Sequence, residues 1–365
     1  MRILHLIHQL SGGGAERQLS YLAPELVRLG HEVHVAYHKL GPDGDPDDFE
    51  GVNFHKLTPH CNLDPGLVLQ IRRIIRTVNP DIIQTWILQM DVLGGVSAWL
   101  TKTPWVLREP CSIGAYPPSW RYKLRVWSAR KSTAIVSNSK AGDDYWKRYY
   151  PNQASYIITN GLPIDKIQAT MTASDQEVGI DPEEKLILFV GRLEAQKNLT
   201  TLIDALASVM RELPARAIFC GEGPLRGPLD EYAREKGIGQ SIRFLGFLPV
   251  LKIWSLMKRA DVFVYISLFE GFPNSVAEAM ACGCPLVISD IPEHREMVDE
   301  RCAWLVDPMN PRQIADRIVR ALSDSLAVSA KVEIARRRTQ AWSIEAMARA
   351  YEKVYHESFA NNSPL

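Results

Sequence analysis

Apolar segments and amphipathic segments alternate along nearly the whole chain, which is the pattern of strands and helices in an α/β protein. Residues 1–8 are predicted as a strand, and residues 15–29 as a helix whose leucines recur three and four positions apart. Residues 32–37 are the next predicted strand. From residue 185 onward, an apolar strand, a glycine-containing loop and a helix recur four times. The pattern predicts two Rossmann-like domains.

A polar and acidic stretch at residues 171–184 interrupts this alternation and is predicted to link the two domains. Residues 1–168 then form the N-terminal domain, and residues 180–343 form the C-terminal domain. The chain has 365 residues, which is enough for each domain to bury a core of its own.

Charge and cysteine usage exclude several classes of protein. Lys plus Arg and Asp plus Glu number 42 each, so no overall positive field attracts nucleic acid, and no nucleic-acid partner is expected. The six cysteines form no C-x-x-C pair and are expected to be reduced thiols. No apolar stretch is long enough to span a bilayer, and the start is too interrupted by histidine for a secretory signal. A cytoplasmic protein is predicted.

One segment nevertheless departs from the balanced charge. Between Cys111 and Ala141 there is no acidic residue, and the predicted helix there carries Trp120, Leu124 and Trp127 on one face with basic residues beside it. Such a helix could contact an anionic membrane, as a peripheral protein does, or a lipid-linked acceptor. The alternative, which we favour from the sequence, is a helix that packs by its tryptophan face and leaves its basic flanks in solvent.

Glycines at positions 12, 13 and 14 follow the first predicted strand and suggest that backbone approaches a ligand there. Arg17 stands where a dinucleotide fingerprint needs glycine or alanine, so nicotinamide or flavin binding is not expected. The glycines could also serve only to make a turn. The acidic loop at residues 43–48 lacks the glycine and glutamate of a calcium loop, so we interpret it as solvated and predict no metal site.

The strongest candidate chemistry lies in the second half. Glu270 and Glu278 bracket the turn between a predicted strand and a short helix. Arg192 and Lys197 occupy the loop after the strand at residues 185–190, at an edge where open α/β sheets bind ligands. Two cations there would suit a diphosphate. Two structural alternatives remain open: the cations could be solvated loop charges, and Ser275 with Glu278 could form a capping box.

Four motifs in this half carry a resemblance to a known family. They are G-R-L-x-x-x-K-N at 191–198, G-E-G-P-L at 221–225, F-L-G-F-L at 244–248 and S-L-F-E-G-F-P-N-S-V-A-E-A-M-A-C-G-C-P-L-V at 267–287. In this order they resemble the C-terminal domain of retaining GT-B glycosyltransferases of family 4. The sequence S-G-G-G-A-E-R-Q at 11–18 is similar to members that build bacterial surface polysaccharides. The resemblance implies an α/β fold in which two Rossmann-like domains face each other across a cleft, with the helix at 344–365 packing back on the first.

The resemblance also implies roles for individual residues. Arg192 and Lys197 would bind the donor diphosphate in place of a divalent ion, Glu278 would bind the ribose hydroxyls, and Glu270 would contact the transferred sugar. Phe247 would flank the base. The further implied donor-binding residues are Gly13, Gly14, Gly191, Gly246, Gly271, Phe272, Pro273, Asn274, Ser275 and Val276.

The implied acceptor site contains a departure from the family pattern. Many members carry a histidine after the strand that ends here at Trp86, but this chain has no histidine between Cys61 and His294. Gln89 or Asp91 could replace it, and Arg108 is a further acceptor candidate.

The implied activity is the transfer of a sugar, with retention, from an NDP-sugar to a glycan or a polyprenyl-diphosphate-linked acceptor. A UDP-sugar is the favoured donor. The nucleotide-sugar is a co-substrate, and no cofactor is expected. Two alternatives remain: a GT-B epimerase or hydrolase acting on the nucleotide-sugar, and a non-catalytic two-domain regulator that binds sugars.

Overall fold

The computed structural model describes residues 1–10, 13–40, 49–61, 64–111 and 119–361. The contacts between residues divide the chain into two compact units. Unit 1 comprises Met1–Gly161 together with Trp342–Leu365, and unit 2 comprises Leu162–Ala341. The predicted acidic loop at 43–48 lies outside the described residues.

The described strands of unit 1 form a seven-stranded parallel sheet in the order β3-β2-β1-β4-β5-β6-β7. The central strands β1, β4 and β5 are buried along most of their length because helices cover both faces of the sheet. The strands are β1 (Arg2–Gln9), β2 (Glu32–Lys39), β3 (Asn53–Lys56), β4 (Ile82–Trp86), β5 (Trp105–Glu109), β6 (Ala134–Ser137) and β7 (Ser155–Ile157).

Helices cover both faces of this sheet. Helix α1 packs on one face through Leu19, Leu22 and Leu26, and it ends just before Gly30, whose φ of +88° suits the predicted C-terminal glycine. Helices α2, α3, α4 and α5 cover the other face. These helices are α1 (Gly14–Arg28), α2 (Gly66–Val78), α3 (Ile87–Thr101), α4 (Trp120–Ala129) and α5 (Lys140–Lys147).

The prediction that α4 packs by its tryptophan face is wrong. Trp120 and Trp127 are exposed, whereas Arg125 is buried. The Arg125 guanidinium lies 2.7 Å from Asp91 and 2.7 Å from Glu109. This buried ion pairing turns the helix about its axis and leaves the tryptophans outside.

Unit 2 contains a six-stranded parallel sheet in the order β10-β9-β8-β11-β12-β13. The chain winds outward from β8 to β10 and then returns to β11 beside β8. Ligands of open α/β sheets bind at such a switch, outside the carboxyl ends of the strands. The strands are β8 (Lys185–Val190), β9 (Ala215–Cys220), β10 (Ile242–Gly246), β11 (Val262–Tyr265), β12 (Leu286–Ser289) and β13 (Trp304–Val306).

The helices of unit 2 include two that the sequence pattern did not indicate. Helix α6 consists mostly of residues that were predicted to belong to the first domain, but it packs against α11 of unit 2. Helix α7 lies inside the predicted linker, where Asp175 pairs with Arg259 and Ser174 with Glu177 forms a capping box. The helices are α6 (Ile164–Ala169), α7 (Asp175–Val178), α8 (Leu199–Glu212), α9 (Arg226–Glu235), α10 (Val250–Arg259), α11 (Asn274–Cys282), α12 (Pro292–Arg295), α13 (Pro311–Ser323) and α14 (Ser325–Thr339).

The last helix, α15 (Ile344–Ala360), belongs to unit 1 and packs against α1, β4 and β5. Tyr351 and Tyr355 are buried in the unit 1 core. The Tyr351 hydroxyl accepts a hydrogen bond from Arg108 at 3.0 Å, and Tyr355 donates to Gln84. Within the described part of the chain, no helix is long and apolar enough to cross a bilayer.

Candidate functional site

The candidate site lies at the carboxyl edge of the unit 2 sheet, where β8 and β11 are neighbours. The loop after β8 forms a short 3-10 turn, Ala195–Lys197, and then enters α8 through Asn198 with a φ of +53°. This loop is tied to the loop after β11. Leu268 N donates to the carbonyl of Gln196 at 2.9 Å, and the Gln196 amide donates to the carbonyl of Phe269 at 2.7 Å. These bonds bring Lys197 beside Glu270.

Lys197 and Glu270 form a nearly buried ion pair. The Lys197 Nζ lies 2.5 Å from Glu270 Oε1 and 2.7 Å from the Tyr265 hydroxyl, and both charged side chains are 8% exposed. Burial alone lowers the pKa of Lys197, but Tyr265 and Glu270 outweigh burial and hold this pKa above its ordinary value. The ammonium is therefore charged at neutral pH, and it is a fixed cation at the strand end.

The N-terminus of α11 adds a second source of positive potential. The helix begins at Asn274, after the loop that carries Glu270 and Gly271, and the positive end of its macrodipole lies at this terminus. Such a terminus favours anions. Phe272 and Val276 are buried and anchor the loop and the helix to the core. Lys197 and this helix start together form one electropositive corner.

Glycines let the neighbouring loops approach this corner closely. Gly221, after β9, has a φ of +136°, and a Cβ there would lie 2.0 Å from the carbonyl oxygen of Gly191. Only glycine fits that position without displacing backbone. Gly246 also has a positive φ, and Phe247 follows it with an exposed ring. The predicted glycine loops therefore do line one sheet edge.

Arg192 and Glu278 differ in exposure, since Arg192 lies in solvent and Glu278 is buried. The Arg192 side chain is 70% exposed and pairs with Glu194 of its own loop at 3.0 Å. Glu278 is buried one turn into α11. The alternative role of Glu278 in a capping box with Ser275 is not seen, because the cap residue is Pro273 and no side chain caps this helix.

Two residues of the site were missed from the sequence. Tyr265, at the end of β11, was read only as part of an apolar strand. His294 of α12 is buried, with its ring centroid 5.9 Å from that of Tyr265 and its Nδ1 2.8 Å from the carbonyl oxygen of Ser289. Burial lowers the pKa of His294 to about 4, so the imidazole is neutral at neutral pH. Sequence spacing offered no signal that would have found His294.

The candidate residues of unit 1 lie at or near the switch between β1 and β4. Gly13 and Gly14 begin α1 directly after β1 and are exposed. Gln89 is buried at the start of α3. Arg108 is buried, stacks 4.5 Å from the ring of Trp86, and donates to Asn160 at 2.5 Å.

Asp91 does not lie on a surface where an acceptor could reach it. It is fully buried, accepts a hydrogen bond from Thr85 at 2.5 Å and pairs with Arg125. Burial raises the pKa of Asp91 to about 6, against the opposing effect of Arg125. Its role is to hold α3 and α4 on the sheet. Among the described residues, no group of three His, Cys, Asp or Glu side chains could hold a metal ion.

Solved structures share this architecture. The crystal structure of Anabaena Alr3699/HepE in complex with UDP and glucose superposes with a TM-score of 0.85 at 20% identity, covering 98% of this chain and 100% of that one. WaaG, a glycosyltransferase involved in lipopolysaccharide biosynthesis, gives a TM-score of 0.77 at 16% identity, covering 97% and 99%. The two Rossmann-like sheets are those of a GT-B glycosyltransferase, as predicted.

Sequence comparison identifies the family. The family model described as "Glycosyl transferases group 1" matches residues 170–340, and the model "Glycosyltransferase Family 4" matches residues 12–166. The uncharacterized glycosyltransferase MJ1607 of Methanocaldococcus jannaschii is 35% identical over 336 residues, 86% of each chain. The chain belongs to glycosyltransferase family 4 and is an enzyme of the transferase class.

A more distant relative has a more specific name. It is the N-acetylgalactosamine-N,N'-diacetylbacillosaminyl-diphospho-undecaprenol 4-alpha-N-acetylgalactosaminyltransferase of Campylobacter jejuni. It is 25% identical over 373 residues, which cover 94% of this chain and 96% of that protein.

Proposed function

We propose that this enzyme transfers a sugar from an NDP-sugar, with a UDP-sugar favoured, to a glycan or a polyprenyl-diphosphate-linked acceptor in the assembly of a polysaccharide or lipopolysaccharide. The anomeric configuration is retained, no metal or cofactor takes part, and the reaction occurs on the cytoplasmic side. The observation that carries this proposal is the buried Lys197–Glu270 pair beside the start of α11. The UDP complex of HepE and the undecaprenol-linked substrate in the name of the Campylobacter relative support the donor and acceptor classes.

The donor diphosphate would occupy the electropositive corner. As the bond from the sugar to the diphosphate breaks, negative charge develops on the leaving phosphate. The Lys197 ammonium and the positive end of the α11 macrodipole would stabilise that charge. Arg192, which is exposed in the loop of Lys197, can turn from Glu194 to the diphosphate without unfolding any element. Two side-chain cations would thus supply the charge that a divalent ion supplies elsewhere.

Glu270 would contact the transferred sugar. In the structure its Oε1 is held by Lys197. A diphosphate that binds Lys197 would compete with Glu270 for the ammonium, and the released carboxylate oxygens could accept hydrogen bonds from sugar hydroxyls. Glu278, one turn further along α11, would bind the ribose hydroxyls. Gly246 and Phe247 would flank the base.

Retention is proposed to follow a front-face path, in which an oxygen of the leaving phosphate takes the proton of the acceptor hydroxyl. A double displacement would instead require a free carboxylate beneath the anomeric carbon. We assign Glu270 to sugar positioning, because its carboxylate oxygens, once released from Lys197, would accept hydrogen bonds from the sugar hydroxyls. Proton transfer to the phosphate also needs no protein base with a pKa near neutrality.

The proposal is tested by incubating the enzyme with a panel of labelled nucleotide-sugars in EDTA, with and without lipid-linked acceptors, and measuring nucleotide release. Transfer with retained configuration, read from the anomeric proton coupling of the product, is expected for at least one donor. An epimerase or hydrolase would convert the donor equally well without acceptor. No release from any donor, or an absolute requirement for Mg²⁺, would refute the proposal.

A further inference from the structure

His294 is a buried histidine to which the proposed reaction gives no role. It lies on α12, shortly after β12, and its side chain is fully buried. Its ring centroid is 5.9 Å from that of Tyr265, and the hydroxyl of Tyr265 is 2.7 Å from the Lys197 ammonium. Tyr265 therefore contacts both the imidazole and the cation of the electropositive corner.

The hydrogen bonds of His294 define where its hydrogen lies. Its Nδ1 is 2.8 Å from the carbonyl oxygen of Ser289, and a carbonyl oxygen can only accept. The neutral imidazole therefore carries its hydrogen on Nδ1, and Nε2 keeps a lone pair. Within the part of the chain that the structure describes, this buried Nε2 has no hydrogen-bond partner. A buried acceptor without a donor costs free energy, so a structural role alone does not account for this atom.

The same hydrogen bonds join His294 to the loop that carries Glu270. The Ser289 hydroxyl lies 3.1 Å from His294 Nδ1 and donates to the carbonyl oxygen of Ser267 at 2.6 Å. Ser267 belongs to the loop after β11 and precedes Glu270 by three residues. The imidazole and the carboxylate are thus supported by one hydrogen-bonded framework.

Two charges with opposite effects act on His294. Burial lowers the pKa of His294 to about 4, the negative charge of Glu270 acts to raise this pKa, and the positive charge of Lys197 acts to lower it. Lys197 belongs to the loop after β8, and Glu270 belongs to the loop after β11. The protonation of His294 therefore depends on how these two charges are paired with each other and with a ligand.

The other ionisable groups near the imidazole do not change this balance. Tyr265 of β11 is uncharged, because burial raises its pKa above the ordinary value. Arg295, the next residue of α12, pairs with Asp290 at the end of β12 and with Glu300. Its charge is neutralised there, in a partly exposed cluster.

A diphosphate at Lys197 would shift the balance in one direction. Its negative charges would neutralise the ammonium, and Glu270 would lose its cation while it remains charged near His294. Both changes favour a positive charge on the imidazole.

We propose that His294 is a positioning residue for the transferred sugar: when the donor diphosphate binds Lys197, Nε2 takes up a proton, and the resulting cation holds the released Glu270 carboxylate beside the sugar. The proton comes from the acid form of the buffer, and the new N–H bond at Nε2 is the only bond made. The inference rests on the proposed function and deepens it, because it couples donor binding to the uptake of one proton.

Proton uptake is measured by calorimetric titration with UDP at pH 6 in two buffers that differ in enthalpy of ionisation. Wild type should take up more protons per UDP bound than His294→Asn does. The asparagine amide can still donate to the Ser289 carbonyl from the position of Nδ1, but it cannot bind a proton, so the variant separates the two roles. His356→Gln, which removes an exposed histidine of α15, is the matched control and should equal wild type.

The pH profile is a second readout. Uptake of a proton means that UDP affinity rises as the pH falls, by at most about tenfold per pH unit for one proton. The gain is present below the pKa of His294 in the complex and is lost as the pH rises through that value. Wild type should therefore bind UDP more tightly than His294→Asn at pH 6, and the two affinities should converge at pH 8.

Nitrogen-15 spectra of labelled histidine test the protonation directly. In the free protein at pH 6, His294 should be neutral with its hydrogen on Nδ1, and saturation with UDP should convert it to the charged form. The spectra need only wild type, so they decide the question even if His294→Asn does not fold. If none of the nine histidines changes from neutral to charged when UDP binds, the inference is overturned.

The outcomes separate this inference from the proposed function. Equal proton uptake by wild type and His294→Asn, with normal nucleotide release from a donor, overturns the inference alone. Proton uptake at His294 without nucleotide release from any donor supports the inference and overturns the proposed transfer. Failure to bind UDP at all overturns the inference.

Discussion

Each unit of the protein contains a buried cluster of charges, and the two clusters have different roles. In unit 1, Arg125 bridges Asp91 and Glu109, and all three side chains are at most 2% exposed. In unit 2, Lys197 pairs with Glu270 at the end of two strands and beside the start of a helix. The unit 1 cluster lies between the sheet and its helices, and its described partners belong to neighbouring elements. The unit 2 cluster lies at the carboxyl edge of the sheet, where the proposed donor diphosphate would compete with Glu270 for Lys197.

The comparison teaches that burial and a perturbed pKa do not by themselves identify a site. Asp91 has the more obviously unusual carboxyl, with a pKa raised to about 6, yet its hydrogen bonds are made by Thr85 and Arg125. Structural ion-pair networks shift pKa values as active sites do. The position at a topological switch is the better criterion, and variants of the two clusters can test it.

The largest effect on stability is expected from Arg125→Ala. Removing this guanidinium leaves two buried carboxylates without their cation, which costs about 3–5 kcal/mol in comparable cases. The free energy of unfolding should be measured by urea denaturation. Arg121→Ala on the same helix is the control and should change it by less than about 0.5 kcal/mol, because Arg121 is exposed. If both variants had similar free energies of unfolding, the buried pairing would contribute nothing to stability.

Lys197→Ala should have the opposite result to Arg125→Ala, with a large effect on the rate of transfer and a smaller one on stability. The rate of transfer is expected to fall about 10²–10³-fold, as when one preorganised donor to a developing charge is removed. The free energy of unfolding should fall less than in Arg125→Ala, because water at the sheet edge can solvate Glu270. Lys236→Ala, which removes an exposed lysine paired with Asp204, is the control for activity. If Lys197→Ala transfers sugar at the wild-type rate, Lys197 does not bind the leaving group.

Asp91 gives a prediction of pH dependence. Its pKa is raised in the folded protein, so the folded state binds this proton more tightly than the unfolded state does. The cost of burying the charge should be present above about pH 6 and should diminish as the pH falls towards the unfolded value near 4. Wild type should therefore gain stability relative to Asp91→Asn between pH 8 and pH 5. Parallel stability profiles of the two proteins would contradict the raised pKa.

The smallest effect is expected from Arg192→Ala. The side chain is exposed and pairs with Glu194 of its own loop, so the free energy of unfolding should change by less than about 0.5 kcal/mol. Donor affinity, measured by calorimetry with an NDP-sugar, should fall about tenfold if one charged hydrogen bond to the diphosphate is lost. Glu194→Ala is the matched control and should leave donor affinity unchanged or improve it. An unchanged affinity in Arg192→Ala would leave Lys197 as the sole side-chain cation of the corner.

Much of the fold could be predicted because the signals were local. The alternation of strands and helices, the glycine after α1 and the loops at the unit 2 sheet edge all follow from short-range patterns. Helix α7 was missed because polar contacts hold it, and an apolar periodicity does not report hydrogen bonds such as the one from Arg259 to Asp175.

The errors at the candidate residues had long-range causes. The face that α4 buries depends on two carboxylates from α3 and β5, which lie 34 and 16 residues before Arg125. Likewise, Asp91 was read as an acceptor candidate because its spacing after β4 suited one, but a partner on a later helix turns it inward. Tyr265 became part of the site only when the loop after β8 placed Lys197 over its ring.

Unit 2 interrupts unit 1 in the sequence, and this order affects how the protein folds during translation. Met347, Ala348, Tyr351 and Tyr355 of α15 belong to the core of unit 1, yet they are synthesised after all of unit 2. Until α15 has been synthesised, one face of the unit 1 sheet is incompletely covered. All residues of the unit 2 core, by contrast, are synthesised before α15, so unit 2 can fold first. A nonsense mutation before residue 344 should therefore expose apolar surface on the earlier-made unit, which makes that unit the natural target of chaperones and proteases.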